Sequence, residues 1–441
     1  MIRSLRRPAA TLALALALAG RLLAAPQAPP AQAAGGGQST SDQMADLVNA
    51  LLGGLMGGGK VDGATLQRDV EEAGGIPFRR PVPVDFLNKE QLARYLRELL
   101  DEEYPQAQAT GDERLLAGFD LLPPGTDLRA LRARVLEDNV AGFYDDRPDR
   151  RRLYAVSEER SFTAMNQIVL AHELRHALQD QYANLNDAID ARIGDFDDRR
   201  LAAVSLFEGD ATLLMERFVR LRMGAVPETA GDGEAGGLGS AALGAPGLFD
   251  VPGAPPVVRD QLMQPYLAGL ALARAVWERG GASAMRSAWS RPPASTEQVL
   301  HPERFFAHEA PRVVRVTTAA PAGARVLSEG VLGEMLLRTL LGEGAEAAAT
   351  GWGGDAWKLW DVKGHSALAW RSEWDDPRSA GAFHEALLRR FTRTRATPVV
   401  RDGWVRFSGD GGWTFALRRA ADGVELVSSD DERVLAGLVA R

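Results

Sequence analysis

Cysteine is absent from all 441 residues. That excludes disulfides, thiolate metal sites and a lipid-modified cysteine anchor. Any metal must therefore be held by His, Asp or Glu. Histidine is scarce, with 6 in the chain, so a close pair of them is informative. An excess of positive charge is also missing. The 51 basic and 59 acidic residues leave a net charge of −8, without the basic footprint of a nucleic-acid binder, and no nucleic-acid partner is expected. Past the N-terminus no run approaches the ~18 consecutive apolar residues of a membrane helix. No clean repeat with a period of about 20 to 50 residues is visible, which sets solenoids and propellers aside.

What is present is ordinary globular composition, 45% apolar and 25% charged, over a length that suggests two or three structural units. Arg3, Arg6 and Arg7 precede an apolar run from Ala9 to Ala19, and small residues and prolines follow. That is the order of a secretory signal peptide, expected over residues 1–33. The run would make ~16 Å of helix against a ~30 Å hydrocarbon core, and Arg21 interrupts its extension. Removing the segment takes away four arginines and no acid, and the charge falls from −8 to −12. The mature chain is expected outside the cytoplasm, periplasmic or extracellular, with no stable membrane span. Residues 34–75 read as a low-complexity linker, with order beginning near Pro77.

Local patterns then mark the elements. Asn88 caps a helix to Tyr104, with Gln91 three residues on and Leu92, Tyr95, Leu96, Leu99 and Leu100 on one face. Leu115 to Leu122 and Leu128 to Leu136 are further helical pieces. Aromatic runs around Phe143 and Tyr154 flank an Asp/Pro-rich turn and predict a β-hairpin. A strong helix follows, capped at Ser161 and running to about Tyr182. Another spans about Arg200 to Met223, and 224–256 is a Gly/Ala/Pro-rich loop. Residues 257–310 are helical, from Arg259 to Glu278 and Ala282 to Ser290. Residues 311–441 form an α+β region, with a strand at Val313 to Val316, helices at Gly330 to Leu341 and Asp376 to Phe391, and terminal antiparallel strands at Val399 to Phe407, Trp413 to Arg419 and Val424 to Ser428. Trp352, Asp355, Trp357 and Trp360 form an aromatic cluster that reads as core packing, with a peptide- or glycan-binding surface as the alternative. The expected fold is α+β and predominantly helical.

The chemistry concentrates in His172-Glu173-Leu174-Arg175-His176. Residues four apart lie one helical turn apart on one face, so two imidazoles can reach one ion. Glu173, at the edge of that face, is placed to hold a water without ligating the metal. Ile168 to Ala171 and Ala177-Leu178 make the helix apolar, where an ionisable cluster is costly unless paired or metallated. A catalytic zinc takes three protein ligands and keeps one position open. Glu208, in Leu206-Phe207-Glu208-Gly209-Asp210-Ala211 and 32 residues after His176, completes the set. An Asp from the stretch Asp187 to Asp198 is the alternative third ligand, and Asp210 or Asp180 is expected to orient an imidazole.

With Glu208, the pentapeptide resembles the gluzincin group of zinc metallopeptidases, which includes the thermolysin-like enzymes; this likeness covers roughly residues 140–220. A narrower likeness is to a poorly characterised family of exported bacterial proteins. It rests on Ala171 to Gln181 and Glu208 to Ala211, extending over Gly142 to Asp145, Pro265-Tyr266, Pro292 to Pro302 and Gly351 to Asp355. The resemblance implies a zincin-like core over residues 76–223, zinc as cofactor and a peptide or protein substrate. Two departures matter. Thr212 stands where thermolysin-type enzymes have an Asp, and Gln179 and Tyr182 stand where a metzincin has a glycine and a third histidine. The implied mechanism is hydrolysis with Glu173 as general base. Tyr266 and His301 are the candidates for stabilising the oxyanion. The competing readings are a catalytically inactive envelope scaffold and an accidental pentapeptide. Oligomeric state is not legible.

Overall fold

The computed structural model describes residues 61–440 except 140–141, 157–161, 163, 190–193, 225–253, 396–397 and 409–411. The expected signal peptide, the Ser161 cap, most of the linker and most of the Gly/Ala/Pro-rich loop lie outside the described residues. The chain is α+β, helix-rich, with a small mixed sheet and a large antiparallel one.

Order begins earlier than Pro77. Helix α1 (Gly63–Gly74) is capped by Asp62 and buries Leu66, Val70 and Ala73, so the linker does not extend to residue 75. Strand β1 (Val84–Leu87) leads into α2 (Lys89–Glu103), where Asn88 and Gln91 form a reciprocal capping box. That satisfies two orphan N–H groups at the helix start. Helices α3 (Gln106–Gly118) and α4 (Leu128–Asn139) follow. The hairpin is present as β2 (Gly142–Asp145) and β3 (Arg152–Val156), and β1 joins it in parallel, giving the order β1-β3-β2.

Helix α5 (Ala164–Ala183) packs against β2, and the short α6 (Leu185–Ala188) against α5. Helix α7 (Asp198–Arg222) packs against α5. Both long helices are buried nearly all round, the mark of central rather than surface helices. Helix α8 (Pro256–Ser290) lies along α7 and is continuous except at Gly280 and Gly281, where the backbone leaves helical angles. The backbone thus breaks between the two helices expected there, Arg259 to Glu278 and Ala282 to Ser290. Short helices α9 (Thr296–Leu300) and α10 (Pro302–Ala307) complete the helical part.

Val313 to Val316 is not a strand; Val313 is exposed, and the nearby ladder contact is a single bond from Arg312 N to Gly353 O at 2.7 Å. Strand β4 (Arg325–Gly330) comes next, then α11 (Gly333–Leu341), β5 (Trp352–Val362), β6 (His365–Trp374), α12 (Pro377–Thr394), β7 (Val399–Arg401), β8 (Trp404–Ser408), β9 (Thr414–Arg419), β10 (Gly423–Ser429) and α13 (Glu432–Val439). The sheet order is β4-β5-β6-β10-β9-β8-β7. The run expected as one strand from Val399 to Phe407 turns at Asp402-Gly403, both at positive φ, as a two-residue hairpin requires. Side chains alternate between faces. Leu359, Leu368 and Leu426 meet Phe383 and Leu387 of α12 on one face, while Trp360, Ala369 and Val427 meet Leu435 and Leu438 of α13 on the other. No helix of the described residues is long and apolar enough to cross a membrane.

Candidate metal centre

His172 and His176 stand one turn apart on α5, with ring centroids 4.7 Å apart and planes crossing at 76°. Glu208 reaches them from α7. His172 Nε2 lies 3.0 Å from His176 Nε2 and 3.2 Å from Glu208 Oε2; His176 Nε2 is 3.6 Å from the same oxygen. Donors bound tetrahedrally at ~2.0–2.1 Å to one ion stand about 3.4 Å apart. The three observed separations bracket that value, and Glu208 Oε1, fully buried, has no hydrogen-bond partner. An N,N,O set of this size fits zinc. It is the one group of three or more such donors brought together among the described residues. All three side chains are fully buried.

The Asp alternatives go elsewhere. Asp187 bonds Asn184, Asp195 pairs with Arg132 and Arg200, Asp197 caps α7, and Asp198 accepts from Thr296. Asp190 is outside the described residues. Thr212 turns its hydroxyl to the Glu208 carbonyl at 2.8 Å, an ordinary helical back-bond.

The imidazole partner differs from both expected aspartates. His176 Nδ1 meets Gln179 Oε1 at 2.8 Å. Asp210 sits one step further out. It accepts from Gln179 Nε2 at 2.8 Å, from Arg175 Nε and Nη2 at 2.9 Å each, and from Trp289 Nε1 at 3.0 Å. Asp180 instead takes the Tyr144 hydroxyl at 2.9 Å and the Arg151 guanidinium at 2.9 Å. Sequence reasoning passed over Gln179, Arg175 and Trp289. Gln179 carries a readable signal, since it lies one turn beyond His176; Trp289 lies on α8 and carries none.

Glu173 is also fully buried. Its Oε2 accepts the Tyr144 N–H of β2 at 3.0 Å, and its Oε1 has no partner. Burial, then the Glu208 charge, hold its pKa well above the ordinary carboxylate range, against the pull of the Tyr144 N–H. Burial also pushes Glu208 up, but the two imidazoles beside it, His176 and His172, outweigh burial and hold it at about 2. Burial lowers the pKa of His172, with the Glu208 contact opposing. Tyr266 stacks on His172, with centroids 5.9 Å apart and an angle of 20°. Its hydroxyl hydrogen-bonds to the Glu208 carboxylate, and burial raises its pKa well above the usual phenol. His301 is not brought to this group. Its Nε2 lies 3.1 Å from both Glu334 carboxylate oxygens, at the junction of α10 and α11.

Residues 323–438 match a family described as a domain of unknown function (DUF8575). The match covers the large sheet from β4 to α13 and stops short of every residue of the metal centre. No curated protein and no solved structure matches the chain.

Proposed function

We propose that the chain is an exported zinc metallopeptidase with a zincin-like core, hydrolysing peptide bonds in a peptide or protein substrate. The observation that carries this reading is the set His172, His176 and Glu208, at single-ion separations, with Glu173 on the same helix. Bound zinc supplies Lewis-acid polarisation of a carbonyl and acidification of a water. Glu173 takes the water proton on its unpartnered Oε1 and returns it to the leaving amine, while the Tyr144 N–H fixes Oε2. Tyr266, beside His172 and Glu208, is the donor at hand for the developing oxyanion. His301 has a structural partner in Glu334 and takes no part.

A second reading, a metal-binding scaffold without turnover, is favoured by one observation: every residue of the centre is buried, and Glu173 is bonded to strand β2. One pair of proteins separates the readings. The purified wild type is expected to hold about one equivalent of zinc per chain and to cleave peptides from a broad library. Glu173→Gln is expected to keep the zinc and lose cleavage. Zinc without cleavage in the wild type favours the scaffold; no zinc overturns both.

A further inference from the structure

We propose that Gln179, fixed by Asp210, is a positioning residue that holds the His176 proton on Nδ1 and so presents Nε2 as a ready metal donor. The proposal rests on reading His172, His176 and Glu208 as a metal centre.

A glutamine amide is two-faced, and either end can turn toward an imidazole. Here the surroundings decide. Gln179 Nε2 has two acceptors, Asp210 Oδ2 at 2.8 Å and the Phe207 carbonyl at 3.0 Å. Neither can donate, so the NH₂ end must face them. That leaves Oε1 toward His176 Nδ1 at 2.8 Å, and an acceptor there requires an N–H on that nitrogen. The lone pair of His176 therefore lies on Nε2, the atom that faces His172 and Glu208.

Asp210 sets the sense of the whole chain. Arg175 grips it through two nitrogens and Trp289 donates a third bond, so it is held as an acceptor. The Arg175 guanidinium also lies over the Trp289 ring, 4.8 Å from its centroid. Arg175, Gln179 and Asp210 are all buried, and a hydrogen bond reversed in such a place would leave two donors or two acceptors facing each other. His172 provides the internal contrast. Its Nδ1 is buried and has no partner, so nothing on that side fixes its proton. The relay thus distinguishes two ligands that the pentapeptide makes look equivalent.

The test has a readout that does not depend on turnover. In the metal-free full-length protein, the ring nitrogens of His176 are read by NMR. The expected form is Nδ1–H with a bare Nε2, and a predominant Nε2–H form overturns the proposal without any variant. Zinc affinity is then measured by chelator competition in the wild type and Gln179→Met, which keeps a similar volume and removes the acceptor for the Nδ1 proton. Losing an outer partner of a ligating histidine typically weakens metal binding about 10- to 100-fold. Gln179→Met is expected to fall in that range and to mix the two ring forms of His176. Unchanged affinity and an unchanged ring in a folded Gln179→Met protein overturn the role of Gln179 and leave the metal centre standing. If no protein binds zinc but His176 is Nδ1–H in the wild type and mixed in Gln179→Met, the relay stands and the metal reading fails.

Discussion

Tyr266 shows how a single residue can be tested for a catalytic role. Its ring lies flat against His172 and its hydroxyl bonds Glu208, so it touches two of the three candidate metal donors without being one. Tyr266→Phe keeps the ring and the stacking and removes the donor. Expected are unchanged zinc content and a kcat about 10²-fold lower with little change in KM, since removing one oxyanion donor costs about that. A change in KM alone would assign Tyr266 to packing. At this scale the sequence is readable where helical spacing does the work. His172, Glu173 and His176 are set by one turn of helix, and Glu208 by the need for a third oxygen or nitrogen ligand. Gln179 is equally local, yet its meaning depends on Asp210, Arg175 and Trp289, which only the packing of α5, α7 and α8 brings together.

Between elements, the crossing of α7 and α8 is set by two glycines in contact. A methyl group at Gly209 would lie 2.0 Å from the Gly269 carbonyl carbon, and one at Gly269 would lie 1.9 Å from the Ser205 carbonyl oxygen. Backbone meets backbone there, so no side chain can give way. Gly209 follows the candidate ligand Glu208, and Gly269 is three residues past Tyr266. The close approach is therefore what brings Tyr266 over the centre. Gly209→Ala and Gly269→Ala are each expected to destabilise by about 3 kcal/mol and to weaken zinc binding, checked by denaturant unfolding with and without chelator. Full stability in either variant would mean that the helices can part without cost. Neither glycine is legible beforehand, because a glycine inside a helix pattern does not say what approaches it. The hairpin turns fail differently. Asp402-Gly403 and Lys363-Gly364, all at positive φ, are readable turn chemistry. The apolar residues of β5 and β6 beside Lys363-Gly364 are buried on both faces of the sheet, so those runs do not show the simple alternation that marks a strand, whereas Val399 and Val400 beside Asp402-Gly403 are exposed.

On the scale of the whole molecule, buried acids join one element to another. Asp198, at the start of α7, accepts the Thr296 N–H at 2.9 Å and the Thr296 hydroxyl. Asp355, on β5, accepts the N–H groups of Leu332 and Gly333 at 2.8 Å each and Trp352 Nε1 at 2.9 Å. The role of Asp355 was not visible from Gly351 to Asp355 alone, since Leu332 and Gly333 lie outside that segment. Burial drives the pKa of Asp198 up to about 8, Thr296 opposing and the charge of Asp355 adding to it. Burial likewise raises Asp355 to about 6 against its three donors. Unfolded, both would ionise near ~3.9. The folded chain therefore keeps protons that the unfolded chain has released, and the associated stability is complete below about pH 4 and lost as pH rises toward 8. Asp198→Asn keeps an acceptor for the Thr296 N–H and cannot ionise. Measured by urea unfolding at pH 5 and pH 8, the wild type is expected to lose at least about 1 kcal/mol more than the variant across that interval. Parallel losses in the two proteins would show that Asp198 is already ionised at pH 5, its charge carried by Thr296 and the surrounding backbone.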